Sequence, residues 1–559
     1  MPTLTSSSAP TAPSQPASHP VGSPPGARLS ALSTRARFLL ALLAGGALLA
    51  GHDPIGWGWV GLVALVPLSL LARAASGSPR PVAAGLGWGL IAGGAFFAPL
   101  LWWINHIGEI AAWPLLTTFL ALYVAAWVAL MAWWGERRGR AVVAVAAWVA
   151  VEALRTVAPF GGFPWGQLGY TQANAGPLLE AARTVGVLGV TGLLAAVAIA
   201  VECGGVAVAR ALGAQRERDG EPRQAVLPGG EHIARAGSRP LAAAVGLLAV
   251  GTLLFGTAPE PTGETVDIAA VQGFDVTGST GRSLGRSRDI AHRQLEVTRR
   301  LATGPAGPPD LAVWPESAFD NDVVGADADP RLRQTLTEAL GVLDGAPLLT
   351  GVIDERPGGR FANNTVAFDA NGDVVGRYTK RHYVPFGEYI PLRGLLEWIP
   401  PLERVPRDGV VGERAEVTEL AGAGVGSLIC FEVLWPELVH EPAAQGAQVL
   451  VMATNNSSFG RSAASDQHIA VSQLRAVETG RWIVHAALSG RSALVAPDGS
   501  VHQRTGLYQQ AVVRDEVPLV EGQTLAMRLN AAPGWVAVIV LAGMLGWAVT
   551  ARRRAFLGG

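Results

Sequence analysis

Eight apolar runs dominate this chain, each close to the ~20 residues that a helix needs to cross the hydrocarbon core of a bilayer. They lie near 36–52, 57–74, 81–103, 110–134, 140–157, 184–209, 240–257 and 534–551. The breaks between them fix an orientation, because Lys and Arg close to a span are retained on the cytoplasmic side. Arg28, Arg35 and Arg37 precede the first run, Arg73 and Arg80 separate the second from the third, and Arg137, Arg138 and Arg140 separate the fourth from the fifth. Arg210, Arg216, Arg218, Arg223, Arg235 and Arg239 fall between the sixth and seventh, and Arg552, Arg553 and Arg554 follow the eighth. The breaks GHDPIGW and NHIGEIA carry none, and the one after the fifth run has only Arg155 and Arg183 at its edges. This alternation requires an even number of crossings with both termini cytoplasmic. Reading the first run as a cleaved signal peptide would leave seven crossings and set the C-terminal arginines against the rest.

The expected organisation is therefore a Ser/Pro/Ala-rich disordered tail over 1–34, seven membrane helices over 35–258, a polar domain over 259–530, a last span over 531–551 and a short tail over 552–559. The alternation places the polar domain outside the cytoplasm. A hydrophobic fraction of 49% with 16% charged residues agrees with a membrane protein. The net charge of −1, with no basic cluster interleaved with aromatics, argues against nucleic acid as a partner. Two cysteines far apart, Cys203 and Cys430, suggest neither a disulfide framework nor a metal site. No cofactor is expected.

The 259–530 region reads as α/β. β-rich runs at 266–272, 311–316, 347–353, 425–432 and 448–455 are separated by helix-like stretches at 288–302 and 331–343. Hairpins are signalled at Asn371-Gly372 and Asp498-Gly499.

Three residues in this region carry candidate chemistry. Cys430 stands where the apolar run VGSLI stops, a position where backbone N–H groups favour a thiolate nucleophile; a small buried hydrophobe is the plainer alternative. Glu316 ends LAVWPE, and a carboxylate at the end of a buried strand is costly unless paired, so it is either a general base or part of an ion pair. Lys380 is the single lysine of the chain, every other basic residue being arginine. Where arginine serves as the generic cation, a retained lysine points to a compact ammonium, here placed on a strand and able to hold charge against an oxyanion. A Cys, a Glu and a Lys are what acyl transfer through a thiol needs. A Cys–His arrangement stays open on spacing alone, with His382, His440, His468 and His485 as candidates and His382 first, on the same strand face as Lys380. Cys203 sits in apolar surroundings with no base near in sequence, and Glu202 is the main charge inside the first seven spans, read as paired or snorkelling rather than functional.

The motifs WPE (314–316), YTKRHYVPFGEYIP (378–391) and ICFE (429–432) resemble the nitrilase superfamily, and GGFPWGQLGYTQ (161–172) resembles the extracytoplasmic loop of its membrane-embedded branch, the apolipoprotein N-acyltransferases. The resemblance covers nearly the whole chain. It implies an αββα sandwich for the extracytoplasmic domain beside a multi-pass helical bundle, a Glu316–Lys380–Cys430 triad, supporting carboxylates at Glu388 and Glu432, and substrate contacts from Phe431, Tyr389 and Trp165. It further implies transfer of a fatty acyl chain from a phospholipid, through a Cys thioester, to the α-amine of S-diacylglyceryl-cysteine apolipoproteins at the bacterial inner membrane. Two residues depart from the family pattern: Phe431 stands where Tyr is usual after the nucleophile, and Ser458 where Trp is usual in NDxWFG. These put acyl-donor preference in question more than the reaction. The rival readings are a membrane-tethered amidohydrolase with the same residues and a non-enzymatic transporter or receptor.

Overall fold

The computed structural model describes residues 32–557 apart from 108–111, 175, 220–228, 254–257, 276–283, 326–327, 397–404 and 406. The expected disordered tail lies outside these residues up to position 31, as does part of the arginine-rich break between the sixth and seventh runs.

Each of the eight apolar runs falls on helix. These are α1 (Thr34–Ala50), α2 (Leu65–Ser76, preceded by a 3₁₀ turn over Gly58–Leu62), α3 (Pro81–Leu100), α4 (Ala112–Trp134), α5 (Arg140–Val157), α6 (Ala182–Asp219), α7 (Gly229–Leu253) and, after the polar domain, a C-terminal helix over Ala532–Leu557. That last helix runs through the segment expected to be a short tail. Among the described residues five stretches are long and apolar enough to cross a membrane: Gly58–Ser76, Pro81–Leu100, Ala112–Trp134, Ala182–Leu212 and Ala532–Ala551.

Small residues set how closely the bundle packs. Gly85, Gly89 and Gly93, four apart on α3, face Ala129, Ala125 and Ala121 of α4, where an added Cβ would stand 2.5–2.7 Å from the alanine Cα atoms. Such a small-residue stripe lets two backbones approach where lipid offers no hydrophobic drive for association. Glu202, the expected exception among the apolar helices, is buried and paired with Arg73, which also reaches Glu136.

The polar domain contains two six-stranded sheets. One runs β12-β1-β2-β3-β4-β5 and the other β11-β10-β9-β8-β7-β6, with β1 Pro261–Gln272, β2 Leu311–Val313, β3 Leu348–Arg356, β4 Arg360–Phe368, β5 Val374–Thr379, β6 Val417–Leu420, β7 Ala423–Ile429, β8 Val449–Thr454, β9 Trp482–Ala487, β10 Ala493–Val495, β11 Val501–Arg504 and β12 Ala511–Val520. Both expected hairpins form, joining β4 to β5 and β10 to β11 in antiparallel register.

Side-chain alternation builds the layers. Val266, Ile268 and Ala270 of β1 and Val449 and Val451 of β8 meet in one core between the sheets, while the intervening Leu450 and Met452 point the other way, as period two demands. Outside the first sheet lie α8 (Leu284–Ala302) and α9 (Pro330–Val342), and outside the second lie α10 (Pro436–Ala444) and α11 (Ala464–Thr479). This is the expected αββα sandwich. Leu450, Met452, Leu474 and Val477 share a single apolar core with bundle residues such as Trp103, Trp165 and Val190. The second sheet's helical layer is thus the floor on which the domain rests against the membrane helices.

A polar joint reinforces that floor. Gly186 breaks α6 with φ 67° and ψ 175°, and the carboxylate of Glu478 on α11 accepts from Val187 N at 2.6 Å where helix resumes. A carboxylate at a helix start is favourable both as a cap and against the dipole. Glu478 is fully buried between Arg475 and His440, and Arg475 also donates to Tyr170 of the bundle loop.

Candidate active site

The three candidate residues converge at strand ends, where α/β sheets commonly hold their sites. Glu316 follows β2, Lys380 follows β5 directly and Cys430 opens the 3₁₀ turn after β7. Lys380 therefore stands one residue past the strand on which the sequence had placed it.

Lys380 is 1% exposed, and its ammonium lies 2.7 Å from Glu388 Oε1 and 3.7 Å from Glu316 Oε1. Burial opposes its charge, but Glu388, Glu316 and Cys430 outweigh it and hold the ammonium above its ordinary value. Glu316, 6% exposed, is clamped through both oxygens: Asn363 Nδ2 donates to Oε1 at 2.7 Å and Asn455 N to Oε2 at 2.8 Å. Its neighbour Ser317 has φ 58°, and Cys430 itself has φ 55°. Left-handed backbone at two non-glycine residues costs on the order of 1–3 kcal/mol each and persists only where the surroundings over-determine it.

Cys430 is 9% exposed, and its Sγ lies 3.1 Å from the Thr454 hydroxyl, whose single proton is shared between Sγ and Asn456 Oδ1 at 2.8 Å. The end of β8 thus serves two site residues at once, Thr454 touching the thiol and Asn455 the carboxylate. The expectation that local N–H groups favour a thiolate is corrected here: burial, reinforced by the charge of Glu316, pushes the thiol up against the pull of Lys380 and Thr454. Burial thus favours the thiol form, which needs a proton acceptor to react.

The two supporting carboxylates differ. Glu388 touches Lys380 and is itself held by Val384 N at 2.8 Å. Glu432 is fully buried and takes four donors: Arg381 N (2.6 Å) and His382 N (3.1 Å) on Oε1, Ile429 N (2.8 Å) and the Tyr378 hydroxyl (2.8 Å) on Oε2. It ties the chain after Lys380 to the residue before Cys430. Burial pushes its carboxyl up, against Lys380 and these donors.

The histidines do not form a Cys–His pair of the expected kind. The His382 ring lies on Trp435, centroids 3.7 Å apart, rather than turning to the thiol, and burial with the Lys380 charge lowers it to about 4. His468 is 3.3 Å from the Cys430 carbonyl oxygen, not from sulfur, and burial lowers it to about 4. His485 bonds Ser472, and His440 faces Glu478. Cys203 lies on α6, hydrogen-bonded to Glu202.

Phe431 stands in an aromatic cluster built from both parts of the chain. Trp165 (5.4 Å), Trp103 (6.1 Å) and Phe163 (6.2 Å) come from the bundle side, and Phe459 (6.0 Å) and His468 (6.0 Å) from the domain. Trp165 is buried and donates to Gln467 Oε1 at 2.8 Å. Ser458 sits beside Phe459, whose ring packs 4.7 Å from Trp103. Tyr389 is half-buried, its hydroxyl on the Phe160 carbonyl at 3.3 Å. Sequence reasoning missed Asn363, Thr454, Asn455 and Tyr378. The ends of strands β5 and β8 would have pointed to Tyr378, Thr454 and Asn455, whereas Asn363 lies in the middle of β4 and had no such signal.

The sequence model described as Apolipoprotein N-acyltransferase N-terminal domain matches residues 44–200, and the Carbon-nitrogen hydrolase model matches 345–526, which includes Lys380 and Cys430. The apolipoprotein N-acyltransferase of Geobacter metallireducens is 30% identical over 533 residues, 90% of this chain and 94% of that one. The apolipoprotein N-acyltransferase of Azotobacter vinelandii is 31% identical over 543 residues, 92% and 95% of the two chains. With two domains matched in order and this identity sustained over about nine-tenths of each chain, the chain belongs to the apolipoprotein N-acyltransferase family.

Proposed function

We propose that the protein moves a fatty acyl chain from a membrane phospholipid to the N-terminal α-amine of S-diacylglyceryl-cysteine apolipoproteins by way of a thioester on Cys430. The observation that carries the reading is a buried thiol in one site with a clamped carboxylate and an ammonium, where the domain meets the membrane bundle.

Glu316 takes the Sγ proton as sulfur attacks the ester carbonyl, and Lys380 stabilises the oxyanion. Collapse breaks the ester C–O bond, and the leaving lysophospholipid oxygen receives the proton from Glu316. The lipopeptide amine then attacks the thioester, Glu316 takes a proton from nitrogen, and the departing sulfur recovers it. Glu388 sets the position of Lys380. Glu432 acts on the site through the backbone it binds. Phe431, Trp165 and Tyr389 line the approach to the sulfur.

We place the protein in the bacterial inner membrane with eight crossings, both termini cytoplasmic and the α/β domain outside. The support is the alternation of arginine-bearing breaks. Both substrates are lipids of the same leaflet, so a site at the bilayer surface meets them without extracting acyl chains at ~0.8 kcal/mol per CH₂.

The test uses full-length purified protein and a phospholipid with a labelled acyl chain. Mass spectrometry should find the label as a thioester on the Cys430 peptide, absent in Cys430→Ala, and a lipopeptide amine should discharge it as an amide. Release as free fatty acid whether or not the amine is present would make the protein a hydrolase and overturn the proposal.

A further inference from the structure

The loop after α5 belongs to the membrane bundle, yet it touches the neighbours of three candidate site residues. Gly161 lies under the His382 ring, so close that an added Cβ would stand 2.6 Å from Cε1 and 2.9 Å from Nε2. His382 is two residues beyond Lys380. Its ring rests on Trp435, whose indole N–H is shared between the carbonyls of Thr156 and Gly161, each at 3.0 Å. Trp435 caps the 3₁₀ turn that Cys430 begins. The Phe160 carbonyl accepts from the Tyr389 hydroxyl, and the Phe160 ring meets Phe386 edge-on at 6.1 Å. Tyr389 follows Glu388, the partner of Lys380.

The loop itself is folded tightly onto its helix. Phe160, Gly161 and Gly162 all have positive φ (55°, 90° and 82°). Gly162 N bonds Pro159 O at 2.9 Å, and Phe163 N bonds Arg155 O at 2.8 Å. A Cβ on Gly162 would stand 2.3 Å from the carbonyl group of Thr156. Such a segment transmits position instead of yielding, because close-packed contacts leave it no slack.

We infer that residues 156–162 form a brace by which the membrane bundle sets the Lys380–Glu388 pair against Cys430, with Gly161, His382 and Trp435 as positioning residues. The inference rests on the proposed roles of Lys380 and Cys430. It makes the α/β domain dependent on its seat for catalytic geometry as well as for access to lipid. No covalent step is assigned to the brace. His382 acts as a neutral spacer, its ring tilted 31° against Trp435 and filling the room over Gly161.

The experiment uses full-length Gly161→Ala in detergent–phospholipid micelles, with active sites counted by the amplitude of labelled acyl thioester formed on the Cys430 peptide. A displacement on the order of 1 Å at reacting groups costs up to about a hundredfold in rate. The expected result is a kcat per titrated site at least about tenfold lower with KM within about twofold. Adding His382→Ala to Gly161→Ala should cost nothing beyond His382→Ala alone, since residues acting through one contact are non-additive. An unchanged kcat per titrated site, or additive losses, would overturn the brace. Should Gly161→Ala fail to fold, Trp435→Phe decides: it keeps a ring under His382 and removes only the shared N–H, so kcat should fall several-fold at constant KM, and wild-type kcat would overturn the inference. Activity surviving in Cys430→Ala would instead defeat the underlying reading, and it is scored separately.

Discussion

Glu432→Gln is the substitution whose cost can be worked most directly from the geometry. Two carboxylate oxygens take four donors, three of them backbone N–H groups. The isosteric amide can keep one oxygen. With its NH₂ toward Arg381 and His382, two buried N–H groups are orphaned; with its NH₂ toward Ile429 and Tyr378, one N–H is orphaned and only the hydroxyl can turn to accept. The second arrangement is the cheaper. It forfeits a hydrogen bond to a charged acceptor, about 1.5–3 kcal/mol, and leaves a buried donor unmade, about 1–3 kcal/mol. The two surviving bonds lose their charge assistance and weaken by about half. A total of about 4–9 kcal/mol follows, against about 1.5–3 kcal/mol for Tyr378→Phe, which deletes one hydrogen bond to the carboxylate. In a domain of this size each kcal/mol moves the melting point by roughly 2–4 °C, so E432Q should melt at least roughly 10 °C lower. Acyl loading should also fall at least about tenfold well below that temperature, because Ile429 and Arg381 are the residues that set Cys430 and Lys380 in register. Differential scanning calorimetry and single-turnover loading read the two effects. An E432Q protein with wild-type melting and wild-type loading would refute the reasoning.

Lys380→Arg keeps the charge, but the slot is 1% exposed with Glu388 at 2.7 Å; two extra heavy atoms overpack it by about 1–3 kcal/mol, and loading should drop by roughly a hundredfold when followed by mass spectrometry. Because His382 and His468 lie near about 4, both are neutral above pH 5, so loading between pH 5.5 and 7.5 should show no histidine limb; a limb near 6.5 that disappears in His382→Gln would contradict this. Burial works against ionisation of Glu478, yet Arg475 and His440 hold it at about 2 from an ordinary 4.5. Its contribution, about 3 kcal/mol, is present above pH 4.5 and is lost as pH falls toward 2. Melting should therefore fall more steeply from pH 5 to 3 in the wild type than in Glu478→Gln.

What the sequence could disclose was whatever has a short-range period or a turn signature. The apolar runs became helices, the β-rich runs became strands at nearly their expected bounds, and Asn371-Gly372 and Asp498-Gly499 became hairpin turns. Glu316 and Cys430 were visible because each ends an apolar run, and Lys380 because it is the single lysine among arginines. Glu432 and Glu388 came only through family resemblance, and only coordinates separate their roles, since one binds backbone and the other an ammonium. His382 was misjudged because Lys380 lies just past the end of β5, so strand alternation no longer governs where the next ring points. The direction of the thiol shift was out of reach for a different reason. Part of the packing on Phe431, the residue next to Cys430, comes from Trp103 and Trp165, more than 260 positions away, and desolvation by distant segments leaves no local trace.

A sulfur that stays S–H at neutral pH is a poor target for peroxide, for hypochlorite and for exchange with other proteins' cystines, all of which attack or are attacked by the anion. A cysteine with an ordinary or depressed pKa would be spent by such encounters between turnovers. The burial that pushes the Cys430 thiol up therefore also makes its sulfur slow to oxidise.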